Sequence, residues 1–243
     1  MPLPRPSVPN YTLILPSTDK EIKYRPFLVK EEKVLLIALE SQDSKQITNA
    51  VKSVLKECIL TKGIKVEELP TFDIEYLFLN VRGKSVGESI DLIVTCNDDG
   101  NETEVPVTVY IDEIKVQKDP EHSRDIQLDD NLTMRMKYPS LDEFVRSNFN
   151  FNLEKTSSNI DKSFEIIASC IDMVYSKDES WSASDCTKKE LLEFIDGLDT
   201  QQFKNIEKFF QTMPKLSHTI KVENPKTKVE NEVTLEGLSS FFV

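Results

Sequence analysis

Tyr24-Arg-Pro-Phe-Leu-Val-Lys-Glu-Glu-Lys-Val-Leu-Leu-Ile-Ala-Leu-Glu-Ser41 is the stretch on which a fold reading of this chain turns. The residue before a proline is pushed towards extended geometry, so Tyr24-Arg25 ends a strand and Pro26 separates that strand from a helix. Lys30, Glu31, Glu32 and Lys33 are good helix formers, with the acids near the N-terminal end that the helix dipole favours. Val34 to Leu39 is an unbroken apolar run. A helix that is apolar on nearly every side belongs in an interior. The segment is therefore read as the buried central rod of the N-terminal half, with later helices packed around it.

Upstream, Tyr11–Leu15 and Glu21–Tyr24 alternate and flank Pro16-Ser17-Thr18-Asp19, the pattern of a hairpin. Before them, Pro2, Pro4, Pro6 and Pro9 make residues 1–10 an extended arm that can join neither a helix nor a central strand. Two readings of that arm stand: a disordered tail, or a clamp that orders on a neighbouring subunit. Pro4, Pro6 and Tyr11 are the candidate contacts of the second reading.

Downstream, Ile47, Ala50, Val51, Val54, Leu55, Cys58 and Ile59 fall at i, i+3, i+4, i+7, i+8, i+11 and i+12, a full helical stripe behind a cap at Asp43 or Ser44. Thr71 is expected to cap a third helix carrying Ile74 to Val81, apolar on more than one face; either it is central or one face meets another protein. From Glu88 the period changes to two. Ile90, Leu92, Val94 and Cys96 alternate, then Val105, Val107 and Val109, with Asn97-Asp98-Asp99-Gly100-Asn101 as the turn. Pro106 confines the second strand to an edge. Residues 118–130 read as a polar loop, Leu132–Tyr138 as a strand and residues 141–145 as a short helix.

The polar stretch 148–159 is the expected domain boundary. Beyond it, Ile160, Phe164, Ile167, Ile171 and Val174 share one helical face, and residues 176–185 form a loop holding Trp181. Thr187-Lys-Lys-Glu190 is a capping box opening the next helix. Another helix, bearing Phe203, Ile206, Phe209, Phe210 and Met213, is close enough in sequence to pair antiparallel with it. His218–Val222 and Glu232–Leu235 form a second hairpin, and a helical turn at 238–242 ends the chain. The fold class is α+β. Residues 1–10 are the arm. Residues 11–147 are a mixed domain with the buried helix and a β-hairpin at 88–116. Residues 160–243 are a helical domain ending in the second hairpin.

Leu15-Pro16-Ser17-Thr18 and Tyr24-Arg25-Pro26-Phe27-Leu28-Val29-Lys30-Glu31-Glu32-Lys33 resemble the opening of the baseplate hub assembly proteins of T-even-like tailed bacteriophages. Pro70 to Leu79 and Cys96-Asn97-Asp98-Asp99-Gly100 are similar to that family's next landmarks. The resemblance spans about the first 140 residues and is thinner beyond. It implies a role in tail-baseplate assembly, as a structural subunit or assembly factor whose partners are other hub proteins, and no reaction. It also implies that the hairpin turns at Cys96 and Asn224 are relics of zinc-ribbon knuckles.

Composition agrees with a binding role. Net charge is −12 and the sequence pI is about 4.8, the wrong sign for a phosphate-backbone binder, so no nucleic acid is expected. No apolar run is long enough for a bilayer and no charged-then-apolar leader is present, so no membrane is expected and the chain is placed in the cytoplasm or in a particle assembled there. Cys58, Cys96, Cys170 and Cys186 form no CxxC pair and are expected to be reduced. A zinc ribbon needs about four Cys or His ligands in two close pairs. Cys96 is the one weak metal candidate, so no cofactor is expected.

With only His122 and His218, histidine acid–base chemistry has little material. Neither GxSxG nor HExxH occurs, and no catalytic residue is assigned. Partner-binding candidates are Pro4, Pro6, Tyr11, the edge at Pro106, and Phe209 and Phe210, the last two also readable as ordinary core. The competing reading is a degenerate zinc-ribbon adaptor that binds nucleic acid or a polymerase.

Overall fold

A computed structural model describes residues 6–96, 98, 103–143, 157–237 and 240, with the backbone alone at 157–162. In chain order the first strands and helices are β1 (Tyr11–Ile14), β2 (Glu21–Tyr24), α1 (Val29–Glu40), α2 (Ser44–Cys58), α3 (Thr71–Val86), β3 (Ser89–Cys96), β4 (Thr103–Tyr110) and β5 (Lys115–Gln117). Then come β6 (Asp125–Gln127), β7 (Thr133–Met136), α4 (Ser157–Ser169), β8 (Ile171–Tyr175), β9 (Ser180–Ser182), α5 (Lys188–Asp196), α6 (Thr200–Thr212), β10 (Lys215–Glu223) and β11 (Glu230–Glu236). Helices are thus mixed with small antiparallel sheets. The chain divides into two compact units, residues 1–117 with 215–243, and residues 118–214.

That division differs from the expected grouping of 11–147 against 160–243. The cause is a strand pairing: β10 lies antiparallel to β5, Lys215 opposite Gln117 and Ser217 opposite Lys115. The last hairpin therefore completes a β11-β10-β5 sheet in the first unit instead of closing the helical segment. Residues 144–156, which hold most of the expected boundary and part of the expected short helix, lie outside the described residues, as does the expected turn at 238–242 apart from Ser240.

In the first unit β1 and β2 form the expected hairpin, Tyr11 opposite Tyr24 and Ile14 opposite Glu21. Its turn is tied to α3: the Ser17 N–H donates to Asp73 Oδ1 at 3.0 Å and the Ser17 hydroxyl to Oδ2. The chain leaving β2 is held to the end of α2, with Arg25 N–H donating to Cys58 O at 2.9 Å and Leu60 N–H to Lys23 O at 2.8 Å. α2 buries the stripe its sequence marks. Asp43 accepts from the N–H groups of Lys45 and Gln46, and Ala50, Val51, Val54, Leu55 and Cys58 are buried.

α1 is not the buried rod. It buries only Glu31, Leu35 and Ala38, while Val29, Val34, Leu36 and Ile37 are exposed. Six consecutive apolar residues wrap the whole circumference of a helix, but α1 packs chiefly on one neighbour, α2, which covers one side. The central position belongs to α3, which buries Phe72, Ile74, Leu77, Phe78, Leu79 and Val81, each contributing roughly 1.5–3 kcal/mol over an exposed position. Pro70, not Thr71, is its N-cap residue, and Thr71 is the first helical residue.

β3 and β4 pair from Ser89–Tyr110 to Cys96–Thr103, in the register that the alternation implies. Ile90, Leu92, Val94, Cys96 and Val109 share one buried cluster with Leu79 of α3 and with Leu216, Val222 and Leu235 of the last hairpin. The expected turn at 97–101 lies outside the described residues except for Asp98.

The second unit is a β6-β7-β8-β9 sheet with α4, α5 and α6. Several expectations change here. The expected loops 118–130 and 176–185 contain β6 and β9, with Trp181 on β9, and Ile171 to Val174 lie on β8 rather than on the preceding helix, which ends at Ser169. The Cys170–Tyr175 segment satisfies both periods at its apolar positions, and pairing with β7 on one side and β9 on the other decides for the strand. The capping box is as expected: Glu190 N–H donates to Thr187 Oγ1 at 3.3 Å and Thr187 N–H to Glu190 Oε2 at 2.7 Å. A second box, Asp199 with Gln202, opens α6. α5 packs chiefly on α4, not on α6 as its proximity in sequence suggested.

His122 sits inside this unit, its ring nitrogens 3.0 Å from Thr212 Oγ1 and 3.0 Å from Tyr138 OH, with the Phe209 ring beside it. Burial pushes its pKa below the ordinary 6.5, and Arg124 adds to that against the opposing pull of Asp119. Its environment favours the neutral imidazole.

Glu31 fastens the start of α1. Its carboxylate, 5% exposed, accepts from the Arg25 guanidinium at 3.1 Å, from the Leu28 N–H at 2.6 Å and from Lys30. Burial alone would raise its pKa, but these donors outweigh it and hold the group below the usual carboxylate range. Replacing Glu31 by Ala leaves the Arg25 charge uncompensated and the Leu28 N–H without an acceptor. The expected loss is about 3 kcal/mol in the denaturant-induced unfolding of the first unit. An unchanged midpoint and slope would show that the pair contributes nothing.

Candidate interaction surfaces

The two hairpin ends singled out as relic zinc knuckles are joined by a carboxylate. Asp98, in the β3–β4 connection, faces the β10–β11 connection: its Oδ1 accepts from Asn224 Nδ2 at 2.7 Å and Asn231 Nδ2 at 3.0 Å, and its Oδ2 accepts from the Thr227 hydroxyl. Asn224 is fully buried and builds its own turn, its Oδ1 accepting from Lys226 N–H and its backbone pairing with Val229 and Lys228. Asp98, read from sequence only as part of the β3–β4 turn, is exposed as a turn residue is, and it also links the two hairpins. Cys96 is buried at the end of β3, opposite Thr103, whose buried hydroxyl has no partner among the described residues. All four cysteines are free thiols. Among the described residues no three His, Cys, Asp or Glu side chains stand close enough to hold a metal ion.

The outer faces of these hairpins differ. On β10–β11 the face is a polar ladder: Lys215–Glu236 at 2.7 Å, Thr219–Thr234 at 3.0 Å, and Lys221 between Glu230 and Glu232. On β3–β4 it carries Ile93, 69% exposed, opposite the exposed Pro106, with Tyr110 exposed further along. Among the described residues Pro106 lies on a strand paired on one side, in the two-stranded β3–β4 sheet. A shallow cleft of about 240 Å³ opens between Ile14, Pro16, Tyr76, Asn80, Ile111 and Val116.

The remaining sequence candidates divide. Tyr11 is half-buried, its ring 5.9 Å from that of Tyr24 and under the Lys84 ammonium at 5.2 Å, so much of it is engaged internally. Pro6 is exposed, and Pro4 lies outside the described residues. Phe209 and Phe210 are 2% and 4% exposed, edge-to-face at 5.1 Å within the core of the second unit. Burial removes both from any surface, a correction to the interaction reading. Missed from sequence was the outward stripe of α1, where Val29, Leu36 and Ile37 are 80%, 56% and 57% exposed. Its signal was present as an apolar run too wide for one packing partner.

Hydrogen bonds from Thr227 first, then Asn224 and Asn231, hold the Asp98 pKa down at about 2 against an ordinary 3.8. A carboxylate with a lowered folded pKa adds stability that is full above 3.8 and vanishes as pH falls through about 2. Wild type should therefore unfold at a higher temperature than D98N at pH 7, and the gap should close between about pH 4 and pH 2. A gap that persists unchanged at pH 2 would contradict this role for the charge.

The family model described as T4 bacteriophage base plate protein matches residues 8–243, reaching through the second hairpin as well as the N-terminal landmarks. No curated protein and no solved structure matches the chain. On this match, which takes in both hairpins and the helices between them, the chain belongs to the T4 bacteriophage base plate protein family.

Proposed function

We propose that the chain works in the central hub of the tail baseplate, as a structural subunit or assembly factor that acts by docking to other hub proteins and turns over no substrate. Family membership supports a baseplate role. The hub assignment rests on the resemblance carried by Leu15–Thr18, Tyr24–Lys33, Pro70–Leu79 and Cys96–Gly100. The observation that carries the docking mechanism is an asymmetry between the units. Among the described residues, Ile14, Leu28, Val29, Val34, Leu36, Ile37, Leu60, Val86, Ile93, Tyr110 and Val229 are exposed in the first unit, whereas Trp181 is the one large apolar side chain exposed in the second. Clustered exposed apolar surface marks an interaction region, where scattered single residues do not. An acidic protein with such patches gains selectivity from charge and affinity from apolar contact.

Co-expression with the other hub proteins and size-exclusion chromatography tests the proposal. The chain should co-elute with at least one of them. Ile93→Asp, which puts a charge on the apolar face of β3–β4, should weaken that complex at least about tenfold, while Trp181→Ala in the second unit should not. Elution apart from every hub protein, in every combination, would refute the assignment.

A further inference from the structure

We propose that α1 is a homotypic docking element, its exposed stripe seating antiparallel against α1 of a second copy of this chain about a two-fold axis between Leu36 and Ile37. The stripe consists of Val29, Lys33, Leu36, Ile37 and Glu40, spaced i, i+4, i+7, i+8 and i+11, so all five share one face. That face is opposite the one through which Leu35 and Ala38 are buried.

The charges on the stripe identify the occupant. Lys33 and Glu40 are both exposed, and neither has an ion-pair or hydrogen-bond partner among the described residues. Lys30 and Glu31, by contrast, are engaged with Arg25 and Glu57. Glu40 stands in the last turn, where the helix dipole disfavours an acid and no basic residue offsets it. Among the described residues nothing pairs with Lys33 or Glu40 to account for that placement. The point midway between Lys33 and Glu40 falls between Leu36 and Ile37. Turning a second helix about that point sets Lys33 of each copy against Glu40 of the other, twice, and packs the Leu36–Ile37 pairs together. A patch that is its own complement under rotation is the requirement of a two-fold interface.

The helix is 12 residues long, roughly 18 Å. One such helix pair buries less than the roughly 1,200 Å² of a stable interface, so the dimer is weak in isolation, with a Kd on the order of 10–100 μM. The inference rests on reading the first unit as the interface-bearing one but not on which hub protein it meets.

Sedimentation velocity of the full chain over a concentration series into the high micromolar range tests it, using K33E, E40K and the K33E/E40K double variant. All these positions are solvent-exposed, and circular dichroism verifies folding. Wild type should dimerise reversibly, and either single reversal should weaken the dimer about tenfold by setting like charges together twice. The double variant should recover it, and an equimolar mixture of K33E and E40K should form a heterodimer. A wild type that stays monomeric, single reversals without effect, or a double variant that fails to recover would each overturn the proposal. Co-elution with hub proteins is read separately: a monomer that still co-elutes defeats only the self-pairing, and a dimer that never co-elutes defeats only the hub role.

Discussion

The short pairing of β5 with β10 is the constraint on which the rest of the molecule depends. Three residues, Lys115 to Gln117, meet Lys215 to Ser217. That contact brings the last hairpin back to a unit whose other elements end before residue 118. It completes the cluster in which Leu216 and Val222 pack with Ile90, Leu92 and Val94. It also delivers Asn224, Thr227 and Asn231 to Asp98, across separations of 126 to 133 positions along the chain. The entropy of closing so long a loop rises only slowly with length. The intervening residues meet their own ordering cost by forming a core of their own around Met134, Ile167, Ile206 and Phe209.

What was legible in the sequence was what is decided locally. The stripe from Ile47 to Cys58, the Thr187–Glu190 capping box and the alternation of Ile90 to Val109 each report on neighbours a few residues away. Illegible features were settled by distant partners. The apolar run Val34–Leu39 records a preference for burial but not how many neighbours are available, and α1 packs chiefly on α2 alone. Ile171 and Val174 fit a helix face as well as a strand, and the choice rests with β7 and β9. β5, β6 and β9 are three residues each, too short to show a period. Asp98 was legible as a turn residue, but its link to Asn224, Thr227 and Asn231 was not, because those donors are far away in sequence.

The surfaces arise from the same division of labour. Once α3 occupies the centre of the first unit, α1 is left with more apolar surface than its main neighbour, α2, covers. In a free-standing enzyme domain that would be a liability. On the docking mechanism proposed above, it is surface that a baseplate neighbour would cover, and the outward face of β3–β4 around Ile93 and Pro106 has the same exposed apolar character. The polar ladder of β10–β11 shows the contrast, since there the outward positions are filled by lysine–glutamate and threonine pairs.

The central claim is that residues 1–117 and 215–243 make one fold that the second unit merely interrupts. Because Gln117 and Lys215 stand directly opposite on paired strands, residues 118–214 are expected to be replaceable by a two-residue Asn-Gly turn of the kind that closes hairpins. Amide hydrogen exchange on that shortened chain is the most direct measurement. The account predicts cooperative unfolding with protected amides throughout β10, including those that pair with β5. A shortened chain that is unfolded, or one in which β5 and the first residues of β10 exchange freely, would contradict it.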